Sequence, residues 1–150
     1  LYDFTILPEC CITSTTLLTV LPLLPKQKKK TNNPLGSPLH ARRISELMLE
    51  KKALDVTIID VRKITTLTDF FVLCTSESQP QSRAITDHIH EEMKKEGMRS
   101  WHIEGFQKLD WVLVDFVNIV AHVFSKDARK YYEFERLWAD GKITLVKDKK

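Results

Sequence analysis

Asp110–Trp138, DWVLVDFVNIVAHVFSKDARKYYEFERLW, is the stretch that decides the fold. Trp111 to Asp115 and Ile119 to Phe124 have strand length and strand composition, rich in Val, Ile, Phe and Trp. Val117-Asn118 lies between them and reads as a turn, because Asn accepts positive φ more readily than most residues. Ser125 is placed to cap a helix, and Asp127 in its first turn complements the helix dipole. Lys126 to Trp138 then reads as one helix with Tyr131, Phe134 and Trp138 on its inner stripe, which leaves Tyr132 off the stripe and partly outward. Trp111, Leu113 and Asp115 share one strand face by alternation. The tract reads as the docking end of a small α/β domain rather than as an enzyme active site.

Upstream, Ser37-Pro38 is a helix-start signal, and Ile44, Leu47, Met48 and Lys51 follow at helical spacing up to about Lys52. Val56 to Val61 is a β-branched run and Phe70 to Cys74 a second strand, apolar on both faces and so central in a sheet. RKITTLTD joins them. Ser78 or Gln79 caps the next helix, with Pro80 in its first turn, Ile85, Ile89 and Met93 repeating along it with Ala84 and His88 beside them, and Gly97 as its left-handed stop. Arg99 to Ile103 is a further strand. The order α-β-β-α-β-β-β-α implies an α/β (mixed α+β) fold, a mixed five-stranded sheet flanked by helices. The end, GKITLVKDKK, is a basic tail in which Ile143 to Val146 is a candidate short strand. The domain is placed at residues 37–140 and the C-terminal tail at 141–150.

Residues 1–36 differ in composition, being rich in Thr, Leu and Pro and ending in KQKKKTNNPLG. They are expected to form a disordered tail, or one whose start is not the native one. The apolar run Leu17–Leu24 precedes its basic residues, opposite to a secretory signal, and the presence of Asp3 and Glu9 without Arg does not suit an organellar transit peptide. The bacterial cytoplasm is the expected location. No apolar run reaches the ~20 residues of a membrane span, and no membrane partner is expected.

Charge is unevenly placed. The whole chain carries +3, but Ala41–Asp140 holds 15 Lys and Arg against 17 Asp and Glu, a net of −2, so the tails carry +5. A sequence-independent grip on nucleic acid needs clustered basic residues, which this stretch lacks. No sequence-specific nucleic-acid contact is expected; a basic protein partner suits the domain better, and the alternative is an RNA-binding module in ribosome assembly that uses the Lys26–Lys30 run and the basic C-terminal tail. Cys10, Cys11 and Cys74 form neither a closed disulfide framework nor a zinc motif, and a reducing compartment follows.

Candidate chemistry is sparse. His88 and His90 are two apart on a helix and cannot share an ion, since helical metal pairs use i, i+3 or i, i+4 spacing. His102 and His122 each lie in a strand. Cys74 closes an apolar strand and reads as a buried small hydrophobe rather than a nucleophile. Asp60, Asp69, Asp110 and Asp115 would serve Mg²⁺ only if two or three of them converged, and phosphoryl transfer also needs a phosphate cradle. Thr75-Ser76-Glu77-Ser78 has no Gly and carries a Glu. No catalytic residue, metal or cofactor is expected. Trp111, Asp115, His122 and Tyr132, with Glu104 nearby, form the expected partner-binding patch, aromatic and polar with acidic groups.

DFFVLCTSES, ITDHI, DWVLVDFVNIVAHVF and YYEFERLW, in this order, resemble the ribosomal silencing factor family, also called Iojap; the match runs from about Leu39 to Trp138. The most specific part is DWVLVD, a spacer, VAHVF, then Tyr131, Glu135, Leu137 and Trp138 as YxxxExLW. The resemblance implies a nucleotidyltransferase-like fold without the catalytic residues. It also implies binding to the large ribosomal subunit through its protein L-fourteen, steric blocking of small-subunit joining, a role in large-subunit maturation in organelles, and a homodimer. Three positions depart from the family pattern: Ser76 stands where Gly is usual, Pro80 where Arg is common, and Val117-Asn118 where the hairpin turns at Gly-Asp.

Overall fold

The structure, a computed structural model, describes residues 37–147. The expectations for residues 1–36, with Cys10, Cys11 and the Lys26–Lys30 run, fall outside the described residues, as do residues 148–150.

The apolar run Phe70–Cys74 is buried on both faces, and the rest of the molecule is arranged around it. In chain order the elements are α1 (Ser37–Glu50), β1 (Leu54–Asp60), β2 (Phe70–Ser76), α2 (Gln79–Lys95), β3 (His102–Glu104), β4 (Trp111–Asp115), β5 (Ile119–Ser125), α3 (Lys126–Tyr132), α4 (Phe134–Leu137) and β6 (Lys142–Leu145). The strands form one sheet in the order β3-β4-β5-β2-β1-β6, in which only the β2–β5 pair is parallel. The mixed sheet is as expected, and β2 is central and buried along its whole length. The sheet has six strands rather than five, because the candidate strand near the C-terminus forms as β6 and pairs with β1.

The first sheet face carries Val56, Val72, Cys74, Val112, Val114, Ala121 and Val123, against which α1 and α2 pack through Ala41, Ile44, Leu47, Met48, Ile85, Ile89 and Met93. Ala84 is exposed; the buried neighbours of the α2 stripe are Ser82 and Thr86. Ser78 caps α2, accepting from Gln81 N–H. Gly97 ends it at φ 86, with its own N–H on the Lys94 carbonyl and the Met98 N–H on the Met93 carbonyl, the paired bonds of a Schellman stop.

The second face is covered differently. Ile59, Val61, Phe71, Leu73, Phe124 and Phe134 form a smaller core there, joined at its edge by Trp111, Val120, Ala128 and Trp138. The expected single helix Lys126–Trp138 is two helices, because Glu133 adopts a left-handed conformation (φ 41) between them. The break turns Phe134 into the core and leaves Tyr131 exposed, so Tyr131 does not belong to an inner stripe. α3 lies over β5 and β2, and its last residue, Tyr132, reaches Trp111 at the start of β4.

Candidate functional site

The register of β3, β4 and β5 decides what the open face displays. Glu104 is opposite Leu113, and Leu113 is opposite His122; His102 is opposite Asp115, and Asp115 opposite Val120; Trp111 is opposite Phe124. Side chains of strictly paired residues point to the same side of a sheet. Glu104, Trp111, Asp115 and His122 therefore share this face, and Tyr132 reaches it from the last position of α3 with its ring centroid 4.8 Å from that of Trp111.

These five residues are not equivalent. Glu104 and Tyr132 are exposed, Trp111 is half-buried, and Asp115 and His122 are buried. Trp111 stacks on Phe124 at 5.0 Å on its inner side, and its indole Nε1–H donates to His122 Nδ1 at 3.1 Å. The other nitrogen, His122 Nε2, has no hydrogen-bond partner among the described residues. Phe134 and Phe71 lie against the imidazole at 4.6 and 5.4 Å between centroids. Burial without a charged partner pushes the His122 pKa down to about 3, so the ring is neutral and serves as acceptor for the indole. Asp115 works on the backbone: its Oδ1 accepts from the Val117 N–H at 2.7 Å, clamping the β4–β5 turn. Leu113, half-buried beside Glu104, completes the apolar part of the face.

The remaining candidates separate. His102 Nε2 meets Glu104 Oε1 at 2.9 Å and sits two strands away from His122. His88 and His90 point to different partners, Glu50 Oε2 and Ser100 Oγ, each at 2.8 Å. Cys74 is wholly buried, which raises its thiol pKa to about 12 against a small opposing effect of Arg129. The Arg62 guanidinium hydrogen-bonds both oxygens of Asp60 and holds its carboxyl below the usual range. Among the described residues no three His, Cys, Asp or Glu side chains gather as a metal site would require. The residues at the loop after β2 are used internally: Ser76 Oγ shares a hydrogen bond with Ser82 Oγ and donates to the Phe124 carbonyl. No helix among the described residues is long and apolar enough to cross a membrane.

One residue of consequence was not singled out by the sequence. Arg129 of α3 is largely buried, and all five of its guanidinium N–H groups are engaged. Nη1 donates to the Asp55 carbonyl (2.8 Å) and Thr75 Oγ1 (2.9 Å), Nη2 to Thr57 Oγ1 (3.2 Å), and Nε and Nη2 both to Glu135 Oε1 of α4. Glu135 is the acidic residue of YxxxExLW, so the motif marked one half of the pair.

Fold and site together define a class: a small α/β domain with two long helices over one sheet face and, on the other, two short helices beside an aromatic, acid-bordered patch. A family model described as "Ribosomal silencing factor during starvation" matches residues 34–150. The ribosomal silencing factor of Bacillus subtilis is 37% identical over 94 residues, covering 63% of this chain and 80% of that protein. A crystal structure of a protein from Chromobacterium violaceum superposes with a TM-score of 0.66 at 26% identity, over 75% of this chain and 94% of that one. A Bacillus halodurans crystal structure gives a TM-score of 0.62 at 30% identity, over 73% and 99%. The chain belongs to the ribosomal silencing factor family, whose members are named as regulators rather than enzymes.

Proposed function

We propose that this chain acts in the bacterial cytoplasm by docking on the large ribosomal subunit at protein L-fourteen, where it bars the small subunit and so represses translation. Occupancy is the activity, and no turnover is needed. The observation that carries the reading is the pairing of Tyr132 with Trp111 at the rim of a sheet face that the described helices cover only in part, with Leu113 and Glu104 beside them. Aromatic residues anchored from behind, here by Phe124 and His122, are the usual energetic centres of interfaces. The net −2 of Ala41–Asp140 and the exposed Glu104 suit a basic ribosomal protein and speed its encounter.

The test is co-sedimentation of the full chain with isolated large subunits, followed by light scattering of subunit joining. Binding to large but not small subunits, with joining reduced in proportion to occupancy, is expected. Normal joining at saturating occupancy would overturn the silencing step, and absence from the large-subunit pellet would overturn the docking. A homodimer is part of the same proposal, and a single monomeric species in sedimentation velocity at micromolar concentration would remove it.

A further inference from the structure

The docking aromatics stand on two different elements, and something must hold those elements in register. Trp111 begins β4, whereas Tyr132 ends α3, a helix of seven residues with none of them fully buried. So short a helix is not stable by itself and takes its position from tertiary contacts. Ser125 caps its start, accepting from Ala128 N–H. Its other end is interrupted by the left-handed Glu133. Arg129 lies between, one helical turn before Tyr132.

We propose that Arg129, locked to Glu135, is the positioning residue that closes Tyr132 over Trp111; this rests on the docking reading above for its functional consequence. β1 is irregular between Leu54 and Thr57, and Asp55 there has φ 47. A bulge leaves ladder groups without a strand partner, and the Asp55 carbonyl takes the Arg129 Nη1–H instead. The same guanidinium reads two buried hydroxyls, Thr57 and Thr75, on neighbouring strands. On its remaining side it grips Glu135 across the Glu133 break. β1, β2, α3 and α4 are thus joined at one planar group, whose geometry a lysine cannot copy because an ammonium has no fork. Neither Arg129 nor Glu135 needs to touch a partner for this role.

The experiment uses the full chain. The Trp111 indole N–H resonance, assigned by Trp→Phe substitution at each of the three tryptophans, reports the Tyr132 ring current in the free protein. Arg129→Lys should move that resonance toward its position in Tyr132→Ala while the exposed Trp101 indole stays in place. In large-subunit binding, Arg129→Lys and Tyr132→Ala should each weaken affinity, on the order of tenfold or more, and the double variant should be no weaker than the weaker single one. Additive losses, or an unmoved Trp111 resonance in a folded Arg129→Lys, overturn the proposal. If Arg129→Lys fails to fold, Glu135→Gln, which keeps the acceptor and removes the charge, decides by the same two readouts. If Tyr132→Ala binds large subunits like the parent, the docking reading fails, and the resonance alone then decides whether Arg129 positions Tyr132.

Discussion

At Val117 the backbone takes φ 75, a conformation costly for a β-branched residue. The Asn118 N–H on the Phe116 carbonyl at 3.0 Å closes a three-residue turn around it, the strained form of the γ-turn. Asp115 holds the Val117 N–H from outside, which explains why the turn persists. The sequence placed the turn at Val117-Asn118 but suggested Asn as its left-handed residue; in the structure that residue is Val117. Val117→Gly should therefore raise unfolding stability by roughly 1 kcal/mol, relief of strain exceeding the added freedom of the unfolded chain, as measured by urea denaturation. His122 is a second case that alternation could not reveal. In IVAHVFS it occupies the face opposite Ala121 and Val123, and only the packing of α4 shows that this face is also closed. Its folded pKa of about 3 lies below the ordinary 6.5, so between these values the unfolded chain binds the extra proton. The stability this ring contributes is present above pH 6.5 and is lost as pH falls toward 3. His122→Phe should reduce the slope of unfolding free energy against pH in that window by up to about 1.4 kcal/mol per pH unit. An unchanged slope in acid titration would show that His122 is not buried neutral.

Among the elements, β4 was legible to the residue, since WVLVD is a run of strand-favouring residues bounded by Asp110 and the turn. The C-terminal helix was legible at its start, where Ser125 and Asp127 carry local signals, and misread at its middle. Tyr131, Phe134 and Trp138 keep helical spacing, so periodicity alone continues the helix through Glu133. The contacts that make the break favourable, Arg129 to Glu135 and to Thr57 and Thr75, are tertiary and leave no periodic trace. β6 was legible only as a candidate, because all four residues are exposed and the basic surroundings resemble a tail. Its place is fixed by backbone pairing with β1, by the Val146 N–H on the Val56 carbonyl, and by Gly141, where a Cβ would lie 2.7 Å from Ile59 Cγ2 and 3.1 Å from two carbonyl oxygens. Removing residues 142–150 should cost roughly 1–3 kcal/mol in chemical denaturation, a few tenths to one for each lost cross-strand pair. No measurable loss would mean that the strand is not part of the stable sheet.

For the whole molecule, the uneven cover of the sheet links fold to function. One face is sealed by two long amphipathic helices. Among the described residues the other is half-closed by two short ones, and the half they leave carries the aromatic pair, Leu113 and Glu104. Trp111 serves both sides of that boundary: its inner face stacks on Phe124, and its outer face is shared with Tyr132. Trp111→Ala would thus disturb the second core as well as the rim, whereas Tyr132 is 44% exposed and can be cut back with little effect on folding. The most direct measurement is the affinity of Tyr132→Ala for isolated large ribosomal subunits beside that of the parent chain, with unfolding midpoints taken on the same samples. Docking through this face predicts a loss of about 2 kcal/mol, roughly thirtyfold in Kd, with the midpoint nearly unchanged. Equal affinities of two equally stable proteins would contradict it.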